Sequence, residues 1–223
     1  MPPVAWVAAA VGGVLLLAAL GLKHEPAIFS GAPTGPEADR AAARLVTKGS
    51  ALHAALGRSG PWGAAFTDSE ANAWLATDLP RNHPRLLPRG FADPRVRFHP
   101  RHVEAAVRLG SGPLSTVVWC DLEVSLRGVN QLGIAVAAAS AGLLPLPTRP
   151  VLAEIARRIA AAGAATELRP LDGRIVLVVY IPGGTAAAGP RWRLESLRVD
   201  AGEAFLAGTT VAEQAAAGEP ADH

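Results

Sequence analysis

Cysteine is nearly missing from this chain of 223 residues, and tyrosine, methionine and lysine are almost as rare. With Cys120 alone, no intrachain disulfide and no cysteine-based zinc site can form. Cys120 follows Trp119 in an alternating stretch and has no adjacent basic residue, so a buried, inert thiol is expected. Aromatic residues make up only 5% of the chain, and a core must be assembled mainly from Ala, Val and Leu, which bury less area each. Charge of either sign is also scarce: a net +2 gives no electrostatic case for nucleic acid as a partner. No glycine-rich phosphate loop and no paired-carboxylate motif occurs, so no cofactor, no metal and no catalytic residue is expected.

What the chain has in quantity is apolar residues, half of the total. At this length they suffice for one well-buried domain and an appendage. The appendage comes first. "VAWVAAAVGGVLLLAALGL", Val4 to Leu22, carries no charge over nineteen residues, and at 1.5 Å per residue it spans about 28 Å, close to the ~30 Å hydrocarbon thickness of a bilayer. Residues 1–23 therefore read as a transmembrane anchor. A cleaved signal peptide is the competing reading; the start "MPP" has no Lys or Arg, and the small-x-small site at Ala19 to Gly21 is weak. By the positive-inside rule Lys23, Arg40, Arg44 and Lys48 pull the following domain toward the cytoplasm. A lone N-terminal apolar helix ahead of a whole domain is nevertheless the plan of an exported, anchored protein. A single-pass protein of the cell membrane with an extracytoplasmic domain is expected.

Residues 24–36, rich in proline and glycine, read as a linker, 37–210 as a single α+β envelope domain, and 211–223 as a disordered tail. Within the domain, Glu37 to Leu56 reads as a helix. "FTDSEANAWLATDLP" reads as a second one, opened by a capping box of Thr67 and Glu70 and ended by Pro80. From Phe91 the period changes to two. "RVRF", "VEAAVRL", "STVVWCDLEVSLRG" and "LGIAVAAAS" read as strands, the third with Val118, Cys120, Leu122, Val124 and Leu126 inward and Asp121, Glu123 and Ser125 outward. "GLLPLPTRPVLAEIARRIAAAG" reads as a turn into a helix from Arg149 to Ala162, with Thr148 as N-cap, Leu152, Ile155, Ala156 and Ile159 as its apolar stripe, and Gly163 as its stop. "TELRPLDGRIVLVVYI" reads as a hairpin on an Asp172-Gly173 turn, which sets Leu168 across from Leu177 and Pro170 across from Ile175. "WRLESLRVDAGEAFLAG" supplies two more strands.

The strand "RIVLVVYIPGG" raises the functional question. Ile175, Leu177, Val179 and Ile181 fall on one face while Val176, Val178 and Tyr180 fall on the other, so both faces need a cover. Each of Val176, Val178 and Tyr180 is worth ~1.5–3 kcal/mol when buried, too much for a domain to leave wet. One cover is the helix from Asp68 to Leu79, through Trp74 and Leu75. The other is a ligand: an acyl chain in an apolar groove lined by Val176, Val178, Tyr180 and Trp74. Between Arg81 and Arg108 lie seven arginines (Arg81, Arg85, Arg89, Arg95, Arg97, Arg101, Arg108) against Asp93 and Glu104. Near a bilayer such a run attracts anionic headgroups, with Arg95 and Arg97 as candidate headgroup contacts; a solvated arginine face is the alternative.

Two motifs imitate catalytic ones. Ala138-x-Ser140-x-Gly142 has the spacing of a nucleophile elbow, but Pro145 and Pro147 stand where a helix should begin at once. "HPRH" offers His99 and His102 without a convincing third ligand. A hydrolase using Ser140 requires a histidine within hydrogen-bond reach, with His99 and His102 as the first candidates.

An N-terminal anchor, a linker helix, "FTDSEANAWLATDLP", alternating strands, a "GLLPLPTRPVLAEI" turn into a helix and a late "IVLVVYIP" strand, in that order, resemble the YpmS-like group of bacterial membrane-anchored proteins of unassigned function. More distantly the pattern, from about Phe66 to Gly208, resembles the tubular lipid-binding (TULIP-like) modules. The resemblance implies an α+β fold in which a curved antiparallel sheet packs around a helix, with an N-terminal transmembrane helix, and it brings no catalytic residue. The expected function is a non-enzymatic membrane-anchored envelope protein binding lipid or another apolar ligand in a groove of the sheet. Its expected partners are membrane lipids; a scaffold subunit docking another membrane protein and an exported serine hydrolase are the alternatives.

Overall fold

The computed structural model describes residues 26–29, 34–84, 87, 89–112, 115–171, 173–183 and 191–211. The run read as a membrane anchor, Asp172 of the hairpin turn and the tail beyond Val211 lie outside the described residues. Among the described residues no helix is long and apolar enough to cross a membrane.

The fold is α+β with a large antiparallel sheet. After a 3-10 turn, η1 (Ala27–Phe29), come α1 (Pro36–Leu56), β1 (Gly60–Thr67), α2 (Asp68–Asn82), β2 (Phe91–His99), β3 (His102–Leu109), β4 (Thr116–Gly128), β5 (Gln131–Ala141) and β6 (Leu144–Pro145). Then follow α3 (Thr148–Ala161), β7 (Ala165–Leu171), β8 (Arg174–Tyr180), β9 (Arg191–Asp200) and β10 (Glu203–Val211). A seven-stranded sheet has the order β2-β3-β4-β5-β8-β7, with β6 beside β5; a second sheet, β1-β10-β9, has three strands.

Local chemistry explains most boundaries. The capping box opens α2 as expected: Thr67 Oγ1 accepts from the Glu70 amide at 3.1 Å, and Glu70 Oε2 accepts from the Thr67 amide at 3.2 Å. The hairpin register is the one the turn dictates, with Leu168 opposite Leu177 and Pro170 opposite Ile175. Gly173, at φ 74, supplies the left-handed residue the turn needs.

Several expectations need correction. Pro80 does not end α2, which runs to Asn82; proline removes only its own amide, and the next turn is carried by His83 N–H donating to Leu79 O at 3.0 Å. Thr148 is not the N-cap of α3. Pro147, extended at φ −62 and ψ 127, takes that place, so the helix starts one residue early. The strand β1 carries no strand signal in the sequence, because "GPWGAAFT" opens with Gly-Pro and does not alternate; its place is fixed by its antiparallel pairing to β10 from Gly60↔Thr210 to Thr67↔Glu203. On β4 both faces are covered at the start, not only the Val118 side. Leu122 faces the cluster of α3, while Val117 is buried with Ala106 beneath Ile28 of η1.

Three apolar clusters result. Ala38, Ala41 and Ala42 of α1 meet Ala73 of α2, with Trp74 packed against them; alanines let the two backbones approach closely. Leu152, Ile155, Ala156 and Ile159 of α3 pack against Ile134, Leu177 and Val179, the stripe acting as the sequence requires. The third cluster seats η1 on β3 and β4 through Ile28, Ala106, Val117 and Trp119. One carboxylate lies inside this framework. Glu70, 4% exposed, accepts from Lys48 Nζ at 2.7 Å and faces Arg44 Nε at 3.4 Å. Burial alone would raise its pKa, but the Lys48 ammonium and the Thr67 amide and hydroxyl together hold it below the ordinary value.

Candidate functional site

The double-faced strand is covered by the protein. Val176, Leu177, Val178 and Val179 are all buried, the two outer-face valines at 1% exposure each. Leu177 and Val179 face α3. Beside Val176 and Val178 on that face stand long polar side chains of neighbouring strands. Arg169 and Glu167 of β7 lie directly across from Val176 and Val178. The Tyr180 hydroxyl donates to Glu167 at 2.9 Å and accepts from Arg169 at 2.7 Å, which ties that side together. Glu167 is the first cause, and burial the second, of a Tyr180 pKa raised above its usual value. On the other side Arg174 donates to Glu123 at 2.7 Å. Gly133, opposite Val178, leaves room for the stem of Arg127, whose Cγ lies 2.8 Å from where a Cβ would stand.

Trp74 is elsewhere. It sits on α2 against the alanine cluster and 5.7 Å from the ring of His83, and α2 packs against α1, β1 and β2. The structure therefore keeps Val176, Val178 and Tyr180 together and sets Trp74 apart from them.

Arg95 and Arg97 are brought together, with a third residue. Directly opposed residues share a face of a sheet. Arg95 opposes Ala106, which opposes Trp119; Arg97 opposes Glu104, and Arg108 opposes Val117. All stand on the side covered by η1. Phe29 lies between two of the guanidiniums, its ring centre 5.9 Å from Arg95 Cζ and 5.3 Å from Arg108 Cζ. Arg97 donates to Ala27 O at 2.7 Å, and Arg108 Nε reaches Asp93 at 3.4 Å. Arg95 differs from both. Its Nε and Nη1 are buried without a hydrogen-bond partner among the described residues, a costly condition for a cationic donor.

Of the remaining arginines in the run, Arg81 sits in the last turn of α2, Arg89 in the turn before β2 and Arg101 in the β2–β3 turn; Arg85 lies outside the described residues. The convergence of Arg108 on Arg95 was legible only once the β2–β3 register was known, although the two-residue period does place Arg95 and Arg97 on one face.

The catalytic imitations separate. Ser140 opposes Trp119 and His102 opposes Glu123, four positions along β4, or about 13 Å at the strand rise. His102, and His99 opposite it on β2, are therefore out of hydrogen-bond reach of Ser140. His99 and His102 stack at 4.8 Å, and each turns to its own carboxylate, Glu104 at 3.5 Å and Asp121 at 3.7 Å. Burial, with the Asp121 carboxylate second, pushes the Cys120 thiol up to about 11, which leaves it protonated at neutral pH. No protein-family model, no curated protein and no solved structure matches the chain.

Proposed function

We propose that this chain is a non-enzymatic, membrane-anchored envelope module that meets anionic lipid headgroups with the face formed by Arg95, Arg97 and Arg108. The observation that carries the reading is Arg95 beside η1, half-buried, with two guanidinium nitrogens buried and without a hydrogen-bond partner among the described residues. A phosphate oxygen would supply the missing acceptor, and charge-assisted bonds to phosphate are strong and planar. The place is right as well. Ala27 follows Leu22 by five residues, a reach of at most about 18 Å. If Val4 to Leu22 spans a bilayer, η1 and the arginines seated on it are tethered at headgroup level.

The finer architecture belongs to the same proposal: a curved sheet wrapping α3. In its support, α3 packs on β5, β7 and β8, yet Arg158 also reaches the Phe91 ring at the start of β2, with Cζ 5.2 Å from its centre. A second reading, an apolar ligand between sheet and helix, is moved from β8 to the other end of the sheet. Val96, Phe98, Val103, Ala105 and Val107 share the α3 side of β2 and β3 and are only half-buried.

The chain without its first 22 residues, mixed with vesicles of phosphatidylglycerol and phosphatidylcholine, tests the headgroup reading. At ~1 kcal/mol per basic residue near the surface, the triple substitution Arg95→Met, Arg97→Gln, Arg108→Gln is expected to weaken co-sedimentation by about 100-fold, and salt to do the same. Equal binding to purely zwitterionic vesicles would remove the proposal. Lipid extraction of the same preparation tests the second reading, which requires a co-purifying acyl chain.

A further inference from the structure

The end of the large sheet that carries Arg108 also carries an exposed apolar tip. There Thr116 stands opposite Leu109, and Val118 opposite Ala141. Past Ala141 the chain turns tightly at Gly142 and Leu143 into β6, whose Leu144 pairs back to Ala141. Gly142, at φ 57, permits the turn, and its amide donates to Val117 O at 2.7 Å. Leu143 is 61% exposed, the highest value among the described large apolar residues, and Leu144 and Leu109 at the same end are 38% and 37% exposed. Exposed apolar side chains standing singly are ordinary. Val46, Val129, Leu168 and Val211 are of that kind, each in a different segment. Three gathered at one end, two of them consecutive, make a patch.

The tip is fastened to the side of the sheet that η1 covers. The Trp119 indole N–H donates to Gly142 O at 3.3 Å, and the same ring packs against the cluster that seats Ile28 of η1 on Ala106 and Val117. Gly142 bonds to Val117, and Val117 stands opposite Arg108. The base of the turn therefore lies two strand spacings, about 10 Å, from the backbone of Arg108. On the far arm Pro145 and Pro147 fix φ and carry no amide. Gly142 has both its amide and its carbonyl bonded, and the Leu146 amide donates to Ala139 O at 2.8 Å. The tip thus offers few unbonded backbone groups, and unbonded backbone is what lipid excludes.

We infer that Leu143 and Leu144 insert into the interfacial region of a lipid bilayer, beside the anionic headgroups met by Arg95, Arg97 and Arg108. The inference rests on the headgroup reading above and adds an apolar contact to it. A bilayer is the occupant that the surroundings favour. Two leucines on a turn with cations nearby suit a surface that is apolar beneath and anionic above, whereas a stable protein partner needs a broad face. The chain path agrees. The uncharged run Val4 to Leu22 ends five residues before Ala27, whose carbonyl accepts from Arg97. If that run spans a bilayer, the arginine face and the tip fastened to it are held at one leaflet.

The test uses the full chain reconstituted in vesicles of phosphatidylglycerol and phosphatidylcholine, with a polarity-sensitive fluorophore on Leu143→Cys or, as the comparison, on Val129→Cys in the β4–β5 turn at the opposite end of the sheet. Both positions are exposed, so both variants keep the fold. Cys120 stays protonated at neutral pH and takes no label. The label at position 143 is expected to shift its emission to the blue and to be quenched by lipids that carry a nitroxide on the acyl chain, and the label at position 129 to do neither. Adding Leu144→Asp is expected to move the labelled tip about tenfold toward water. Aqueous emission at both positions, or equal quenching at both, would overturn the inference. So would a blue shift at position 143 without quenching by lipid, which would mark contact with a second copy of the chain. The headgroup reading is judged separately, by co-sedimentation of the triple arginine variant, so either can fail while the other stands.

Discussion

The two ends of the seven-stranded sheet solve the same problem differently. At the β8 end, four successive apolar residues are buried on both faces, against α3 on one side and, on the other, with arginine, glutamate and tyrosine side chains bonded to one another beside the two valines. At the β2 end the described cover is a turn of three residues, η1, and beside it a guanidinium has two buried nitrogens that bond to no described residue. Long polar side chains can roof an apolar strand because their stems are apolar and their heads bond to one another in water. A short apolar turn cannot do the converse for buried cations, since it offers few acceptors. On the proposed reading, the difference puts stability at β8 and headgroup binding at β2.

Substitutions should separate the two ends. Val178→Asp places a carboxylate where the valine is 1% exposed; an unpaired buried charge costs several kcal/mol, and loss of cooperative unfolding followed by tryptophan fluorescence is expected. A fold that survives with only a small shift of midpoint would mean the roof over β8 is loose. Leu177→Ala, on the α3 side, is expected to cost about 2–5 kcal/mol in urea denaturation.

Away from both ends, Glu70→Ala removes half of the capping box and strands Lys48, for a loss of about 1–2 kcal/mol. The same carboxylate sets an acid dependence. Its folded pKa lies below the unfolded value near 4.5, so its contribution is complete above that value and disappears as pH falls through the folded one. Denaturation midpoints of the native chain and Glu70→Ala should therefore converge on acidification below the ordinary glutamate range. Smallest in stability is Arg95→Met. Removing a guanidinium with two buried nitrogens that bond to no described residue, while keeping its volume, is expected to leave stability unchanged or raise it by up to about 1 kcal/mol, while vesicle binding falls. A clear destabilisation would show that Arg95 has a structural partner and would blur the contrast between the ends.

Much of the fold was legible because its cues are local. The alternation from Phe91, the stripe of α3 and the register of the β7–β8 hairpin each depend on residues a few positions apart, where backbone geometry is fixed by nearest neighbours. The strand β1 was not legible, because small residues and Gly-Pro say little about pairing with a segment more than a hundred positions later. The candidate site divides the same way. A two-residue period puts Arg95 and Arg97 on one face, whereas the arrival of Arg108 and Phe29 needs two strand registers and a docked turn.

By itself the sequence determined that the chain forms helices and, from Phe91 onward, alternating strands, that β8 must be covered twice, and that no intrachain disulfide holds the domain together. Only the tertiary structure decided what does the covering. Trp74 went to an alanine cluster, and Arg127 crossed Gly133. It also decided that two sheets meet through Arg101 and Asn130, the latter bonding to a residue 64 positions away. The physical reason is one of range. Backbone preference and apolar periodicity act within a turn or a hairpin, whereas the choice of which side chain covers which face is made by packing among segments that the chain order does not place together.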